Sequence, residues 1–239
     1  GGRLLVQAEG DWQDRMITDL DRCFTSGDLL IVNDTRVLAA RLFGQRRSGG
    51  RVEILVLTAS TSQVTAMVRP GRKIKDGERI LLLDKAGDMS SFSADVGPAG
   101  ADGSRIVTLS ASPEHVLSTC GHLPIPPYLG RAATETDEVR YQTIFADQPG
   151  AIAAPTASLH ITNELLNRLI ERGVEIATVT LHVGPGTFRN LRSSDLDRGS
   201  LHVEPYRIPL VTKAAIEDCR ARGGRVTAVG TTVTRALES

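Results

Sequence analysis

Between residues 46 and 111 the chain runs in short β-type segments, unlike the sequence on either side. Val52–Thr58, Gln63–Val68, Arg79–Leu83, Ser91–Val96 and Arg105–Leu109 are parted by Ser48-Gly-Gly50, Asp76-Gly77, Gly87-Asp88 and Gly97-Pro-Ala-Gly100. Short strands at regular spacing with a turn signal between each pair predict a small all-β module, a barrel. Before it, Asp28-Leu-Leu-Ile-Val-Asn-Asp34 is an apolar run ending in turn-forming residues, which suits a buried strand. After it, helical and strand patterns alternate. Ser112 caps a helix with Pro113 at its first position, and Thr162 caps another that runs to about Arg172 before Gly173. Leu165, Leu166, Leu169 and Ile170 have core-facing spacing on that helix. Val174–Val183 reads as a buried strand, Val211–Arg222 as a helix, Arg225–Val229 as a strand, and Gly230-Thr-Thr232 as the opening of a further helix. The expected fold is therefore α/β with some parallel pairing, carrying an inserted all-β domain. The boundaries expected are 46–111 for the insert, with 1–45 and 112–239 forming the main domain.

Bulk properties exclude several classes. Aromatic residues are 4% of the chain, too few for a broad base-stacking platform. No apolar run approaches the roughly 20 residues that cross a bilayer, and no secretory signal opens the chain. Three dispersed cysteines (Cys23, Cys120, Cys219) fit neither a disulfide framework nor a thiolate zinc site, and the expected location is cytoplasmic. The net charge is zero but uneven: residues 36–79 hold ten basic side chains against three acidic ones, a net of +7 that the remainder balances. A basic module on an acidic body suits a polyanion such as RNA, and equally suits a solvated surface. The abrupt start at Gly1 and the stop at Ser239 within the first turns of a helix predict further natural sequence at both ends.

Three histidines carry the chemical signal, because imidazole titrates near neutral pH and is the usual proton carrier. His160 ends Pro149-Gly-Ala-Ile-Ala-Ala-Pro-Thr-Ala-Ser-Leu-His160, a small-residue stretch that lets a ligand approach the backbone ahead of a helix N-terminus. His182 closes a strand and precedes Val183-Gly-Pro-Gly-Thr-Phe188, a turn able to cradle a ligand that lacks the full Gly-x-Gly-x-x-Gly spacing. His202 and Glu204 are two apart and share a face on a strand, as a hydrogen-bonded pair would. Asn33-Asp34-Thr35-Arg36 puts a carboxylate and a guanidinium just past a strand end, where sites often form. Each also has a plain structural reading: a satisfied loop histidine, a tight turn, an exposed strand pair, an Asx turn. No His-x-x-x-His or Cys/His spacing supports a metal.

Taken in order, these segments resemble the S-adenosylmethionine:tRNA ribosyltransferase-isomerase family of queuosine biosynthesis. The resemblance is carried by Asp28–Val37, Val68-Arg-Pro-Gly-Arg-Lys73, Gly121-His-Leu-Pro-Ile-Pro-Pro-Tyr128, Arg140-Tyr-Gln-Thr143, Pro149–Thr162, Thr180–Phe188, His202-Val-Glu204 and Ala228-Val-Gly-Thr-Thr232. It departs at Ser158, where the family has glycine, at Ile161, where it has an aromatic residue, and at Gly199, commonly histidine.

The resemblance implies a larger barrel-like α/β body with a smaller β-barrel insert. It also implies transfer of the ribosyl part of S-adenosylmethionine to an aminomethyl-deazaguanine at the tRNA wobble position, with rearrangement to an epoxycyclopentane and loss of adenine and methionine. S-adenosylmethionine is then a co-substrate and no cofactor or metal is needed; tRNA, through its anticodon loop, is the partner, with no membrane and no obligate protein partner. Under this reading His160 is the general base, His182 a second proton carrier or orienter, and Asp34 holds the incoming amine. Thr156, Gly184, Gly186 and Thr187 line the S-adenosylmethionine pocket, and Glu204 stabilises its sulfonium. Arg36, Arg69, Arg72 and Lys73 contact tRNA phosphates and Tyr128 stacks on an anticodon base. Two rival readings are a non-catalytic RNA-binding protein using the β insert, and a hydrolase using His160 or His202 with Glu204.

Overall fold

The computed structural model describes residues 2–8, 10–126, 129–131, 133–184 and 203–239. These divide into two compact units, one from residues up to 36, from 140 to 183 and from 203 onward, the other from 37 to 139 together with Gly184. No helix among the described residues is long and apolar enough to cross a membrane.

The first unit opens with an antiparallel hairpin, β1 (Arg3–Ala8) and β2 (Asp11–Met16), turned at Gly10 with φ +91°. A 3-10 helix, Ile17–Cys23, leads to β3 (Leu29–Asn33), whose five residues are all buried. A continuous apolar run of this kind belongs to a strand covered on both faces. β4 (Thr35–Val37) follows after one residue.

The second unit is a closed barrel. Its strands are β5 (Arg41–Arg46), β6 (Arg51–Ala59), β7 (Gln63–Arg69), β8 (Glu78–Leu83), β9 (Met89–Ala99) and β10 (Arg105–Leu109). They run β5-β6-β7-β10-β9-β8, and β8 pairs back onto β5. Inward positions alternate with outward ones, so Leu42, Val52, Ile54, Val56, Val64, Ala66, Val68, Ile80, Leu82, Val96 and Val107 fill the interior. At the closing seam Gly44 faces Leu82, and a Cβ there would lie 2.6 Å from Ile80 and 2.7 Å from the Leu81 carbonyl oxygen. Helix α1 (Pro113–Cys120), capped by Ser112, adds Val116 and Cys120 to the same core. β11 (Gly121–His122) then pairs with the start of β5, and α2 (Glu135–Arg140) ends the segment.

The chain returns to the first unit through β12 (Gln148–Ala151), paired with β4. α3 (Asn163–Glu171) is capped by the Thr162 hydroxyl, which accepts from the Leu165 amide at 3.3 Å, and it stops before Gly173 at φ +79°. β13 (Glu175–Leu181), β14 (Tyr206–Arg207), α4 (Leu210–Ala221), β15 (Val226–Ala228) and α5 (Gly230–Leu237) complete it. The sheet order is β14-β13-β3-β15, with β13 and β15 parallel to β3 and β14 antiparallel.

The compact β unit runs from 37 to 139 and includes β5, which closes the barrel, with α1 and β11 packed on it. Two expectations are corrected. The α/β unit, expected to be barrel-like, forms an open four-stranded sheet among the described residues. Ile170 is 52% exposed and faces away from the core that Leu165 and Leu169 enter.

Candidate active site

β3, β13 and β15 are parallel, so their carboxyl ends lie along one edge of the sheet, the edge where open α/β sheets bind ligands. Asn33 ends β3 and is fully buried. Its side-chain amide donates to the Leu181 carbonyl at 2.9 Å, and its oxygen accepts from the Leu181 amide at 3.1 Å. The side chain thus mimics a backbone unit and ties the end of β13 to β3 where the ladder would stop. The same oxygen accepts from the Thr35 amide at 3.1 Å, and the nitrogen donates to the Thr232 hydroxyl at 3.4 Å, bringing in the start of α5.

Asp34 is next. Its backbone carbonyl accepts from the amides of Asp147 and Gln148 at 2.8 and 3.1 Å, which fixes the entry to β12. Its carboxylate accepts from the Thr180 hydroxyl at 2.7 Å and is 9% exposed. His182 follows directly on β13. Its Nδ1 lies 2.8 Å from the Thr35 hydroxyl, and its amide donates to the Pro205 carbonyl at 3.1 Å. Gly150 lies against the ring: a Cβ there would be 2.7 Å from both Cε1 and Nδ1. Burial holds the imidazole below its ordinary pKa, and the Asp34 carboxylate opposes this in part. An imidazole whose burial favours the neutral form and a carboxylate at the strand ends form a site able to exchange hydrogen bonds and protons with a polar ligand.

A family model described as "Queuosine biosynthesis protein" matches residues 1–239. The chain belongs to this family. It is 47% identical over 239 residues to the S-adenosylmethionine:tRNA ribosyltransferase-isomerase of Thiobacillus denitrificans, covering 99% of this chain and 67% of that protein. It is 46% identical to the protein of the same name from Gloeobacter violaceus, covering 99% and 66%. The crystal structure of S-adenosylmethionine tRNA ribosyltransferase from Thermotoga maritima is 26% identical, with a TM-score of 0.40, covering 99% of this chain and 64% of that one. The chain thus spans about two thirds of the length of these relatives.

The structure brings together part of the expected site residues. Asp34 and His182 converge on one strand edge with Thr35, Thr180 and Gly150. His160 ends a 3-10 helix, Thr156–His160, where it is exposed and its ring makes no hydrogen bond among the described residues; a Cβ on Gly2 would lie 3.3 Å from its Nδ1. Thr156 opens the same turn and is exposed. The turn packs on the start of α5, since a Cβ on Gly230 would meet Ala157 at 2.9 Å. Ser158 is fully buried, and its hydroxyl lacks a hydrogen-bond partner among the described residues.

Glu204 accepts from the Arg235 guanidinium of α5 at 2.5 Å, so its charge is engaged within the protein. Arg36 is exposed and donates to the Ala146 carbonyl at 2.6 Å. Arg69, Arg72 and Lys73 are exposed on the barrel unit at the end of β7 and in the turn after it. Gly184 is half-buried. Gly186, Thr187, His202 and Tyr128 lie outside the described residues.

Sequence reasoning gave no role to Thr35, Thr180 or Gly150. The last carried a signal, the Pro149-Gly150 pair ahead of a buried small-residue run.

Proposed function

We propose that the chain carries the catalytic core of an enzyme that transfers and isomerises the ribosyl group of S-adenosylmethionine onto 7-aminomethyl-7-deazaguanine at the tRNA wobble position. Epoxyqueuosine in tRNA is the product, with adenine and methionine released. The observation that carries this reading is the seating of His182 on Thr35 beside Asp34, at the carboxyl ends of two parallel strands, in a chain of this family.

The reaction needs a base to remove a proton next to the sulfonium, and a donor for the departing adenine. His160 is the base in this reading, because it is exposed at the mouth of a small-residue turn; Asp34 receives the incoming amine and His182 is the second proton-handling group. S-adenosylmethionine is held by Thr156, Gly184, Gly186 and Thr187. Glu204 adds a negative potential for the sulfonium, shared with Arg235. Arg36, Arg69, Arg72 and Lys73 engage tRNA phosphates, with Tyr128 on an anticodon base. The reaction uses no cofactor beyond its co-substrate, and its setting is the cytoplasm.

The test is incubation with S-adenosylmethionine and tRNA bearing the aminomethyl-deazaguanine, followed by mass analysis of the digested nucleosides. A modified nucleoside with released adenine and methionine is expected. His160→Ala should lower turnover by about 100-fold or more while leaving tRNA affinity nearly intact. Equal loss of both would remove His160 from the chemistry. tRNA binding with no product, both here and in the full-length relatives, would favour a plain RNA-binding role.

A further inference from the structure

Thr35 was part of a strand-end motif with no role of its own, yet its hydroxyl is the group that meets the His182 ring. Thr35 is 1% exposed, and among the described residues its Oγ1 has a single hydrogen-bond partner, Nδ1 of His182 at 2.8 Å. Its amide is already committed to Asn33. A threonine hydroxyl has one hydrogen to donate and lone pairs to spare, whereas a neutral imidazole nitrogen either donates or accepts.

The two ways of making this bond are therefore unequal. If Nδ1 carried the hydrogen and Oγ1 accepted it, the hydroxyl hydrogen would be buried without an acceptor, and a stranded buried donor is costly. If Oγ1 donates, its hydrogen is satisfied and Nδ1 uses its lone pair. A half-turn of the ring would set Cδ2 against Oγ1 and lose this bond, so Nδ1 is the nitrogen that meets Thr35.

We infer that Thr35 fixes His182 as the neutral imidazole with its hydrogen on Nε2, so that His182 acts as a hydrogen-bond donor in the reaction and proton removal falls to another group. This rests on the reading of His182 as part of the active site, and it separates the two histidines: His182 donates, and His160 is left as the base. Thr35 is a positioning residue, acting through the ring. Protonation of His182 would put a hydrogen on Nδ1 and force the Thr35 hydroxyl to turn its own away, a penalty that adds to burial.

The deciding experiment is a two-bond proton–nitrogen correlation spectrum of the chain labelled with nitrogen-15 histidine, recorded above the titration range of the ring. The His182 signals are those missing from a His182→Gln sample. A pyridine-type Nδ1 and a pyrrole-type Nε2 are expected; the reverse pattern overturns the inference. Thr35→Val, which keeps the shape and deletes the hydroxyl, should give a mixture of tautomers, and Thr35→Ser should restore the single one. An unchanged tautomer in Thr35→Val also overturns it, and if that variant does not fold the unmodified chain still decides. Turnover measured alongside separates the two claims. A loss of about tenfold in Thr35→Val, the scale of one hydrogen bond, with recovery in Thr35→Ser, supports both. An altered tautomer with full turnover leaves the assignment of Thr35 standing and removes His182 from the reaction.

Discussion

At position 150 a hydrogen in place of a side chain decides where the His182 ring can lie. Gly150 has φ +154°, in a region that side chains rarely adopt, and its missing Cβ leaves the space the imidazole fills. Gly150→Ala should cost about 1–3 kcal/mol through backbone strain and overpacking, read as a shift in the denaturant midpoint, and should displace the His182 ring signals. A variant with unchanged stability and unchanged ring shifts would show that the contact does not constrain the site. The placement of Asp34 and His182 was legible at this scale, since both stand just past apolar runs, where strands end. Thr35 was not, because its partner is 147 positions away and only the parallel pairing of β3 with β13 brings them together. Glu204 shows the same limit. The same-face pattern with His202 was readable, but the Arg235 that engages its carboxylate comes from a helix 31 residues on.

Among the elements, the turn between β7 and β8 shows how a barrel presents cations. Arg105 on β10 has an almost fully buried guanidinium that donates to the carbonyls of Gly71, Ile74 and Gly97 and to the Asp76 carboxylate. Those bonds hold the turn from which Arg72, Lys73 and Lys75 project into solvent. Arg105→Met should strand three carbonyls and lower barrel stability by roughly 2–4 kcal/mol. It should also weaken tRNA binding, as the cations lose their fixed spacing, in a titration repeated at several salt concentrations. Unchanged affinity and salt slope would exclude this turn from the RNA contact. The elements themselves were mostly readable, since five of the six barrel strands, the capped helices and β13 follow from periodicity and turn residues. β5 escaped because Arg41-Leu-Phe-Gly-Gln-Arg46 offers only Leu42 and Gly44 to the interior, and a glycine is no hydrophobic signal. The hairpin β1–β2 escaped for a related reason: β2 is Asp-Trp-Gln-Asp-Arg-Met and mostly exposed, so no alternating core pattern marks it.

For the molecule as a whole, acidity should act in two stages, both destabilising. His182 has its pKa depressed in the folded state by burial, so its contribution is complete above the unfolded value of about 6.5 and is lost as the pH falls towards the folded value. Asp28 is held far below the usual carboxylate range, chiefly by hydrogen bonds from the Arg225 guanidinium that binds the head of β15 to the head of β3. Its contribution is complete above about pH 4 and declines as the pH drops further. Denaturant midpoints measured from pH 8 to pH 3 should fall gently and then more steeply, and Asp28→Asn should flatten the second fall. A midpoint that rises on acidification would contradict both assignments. The mixed α/β class and the presence of an antiparallel barrel could be read from the sequence. The limits of that unit could not, because closure of a barrel is a property of pairing at a distance.

That closure also bears on how the chain can find its fold. β11 pairs His122 with Arg41 and Gly121 with Leu42, so the exit of the barrel segment is fastened to its entrance. β3 and β13 must meet across about 140 intervening residues, yet once the barrel has formed most of that length is short-circuited. Loop-closure entropy grows only with the logarithm of length, so the saving is about 0.7 kcal/mol. The greater effect is kinetic. Strands β5 to β10 are near neighbours in sequence and can assemble from local contacts, whereas the parallel sheet that carries the histidine depends on distant ones. A barrel that folds early turns a long diffusive search between β3 and β13 into a short one, and the strand edge that holds His182 is then the last part of the chain to take shape.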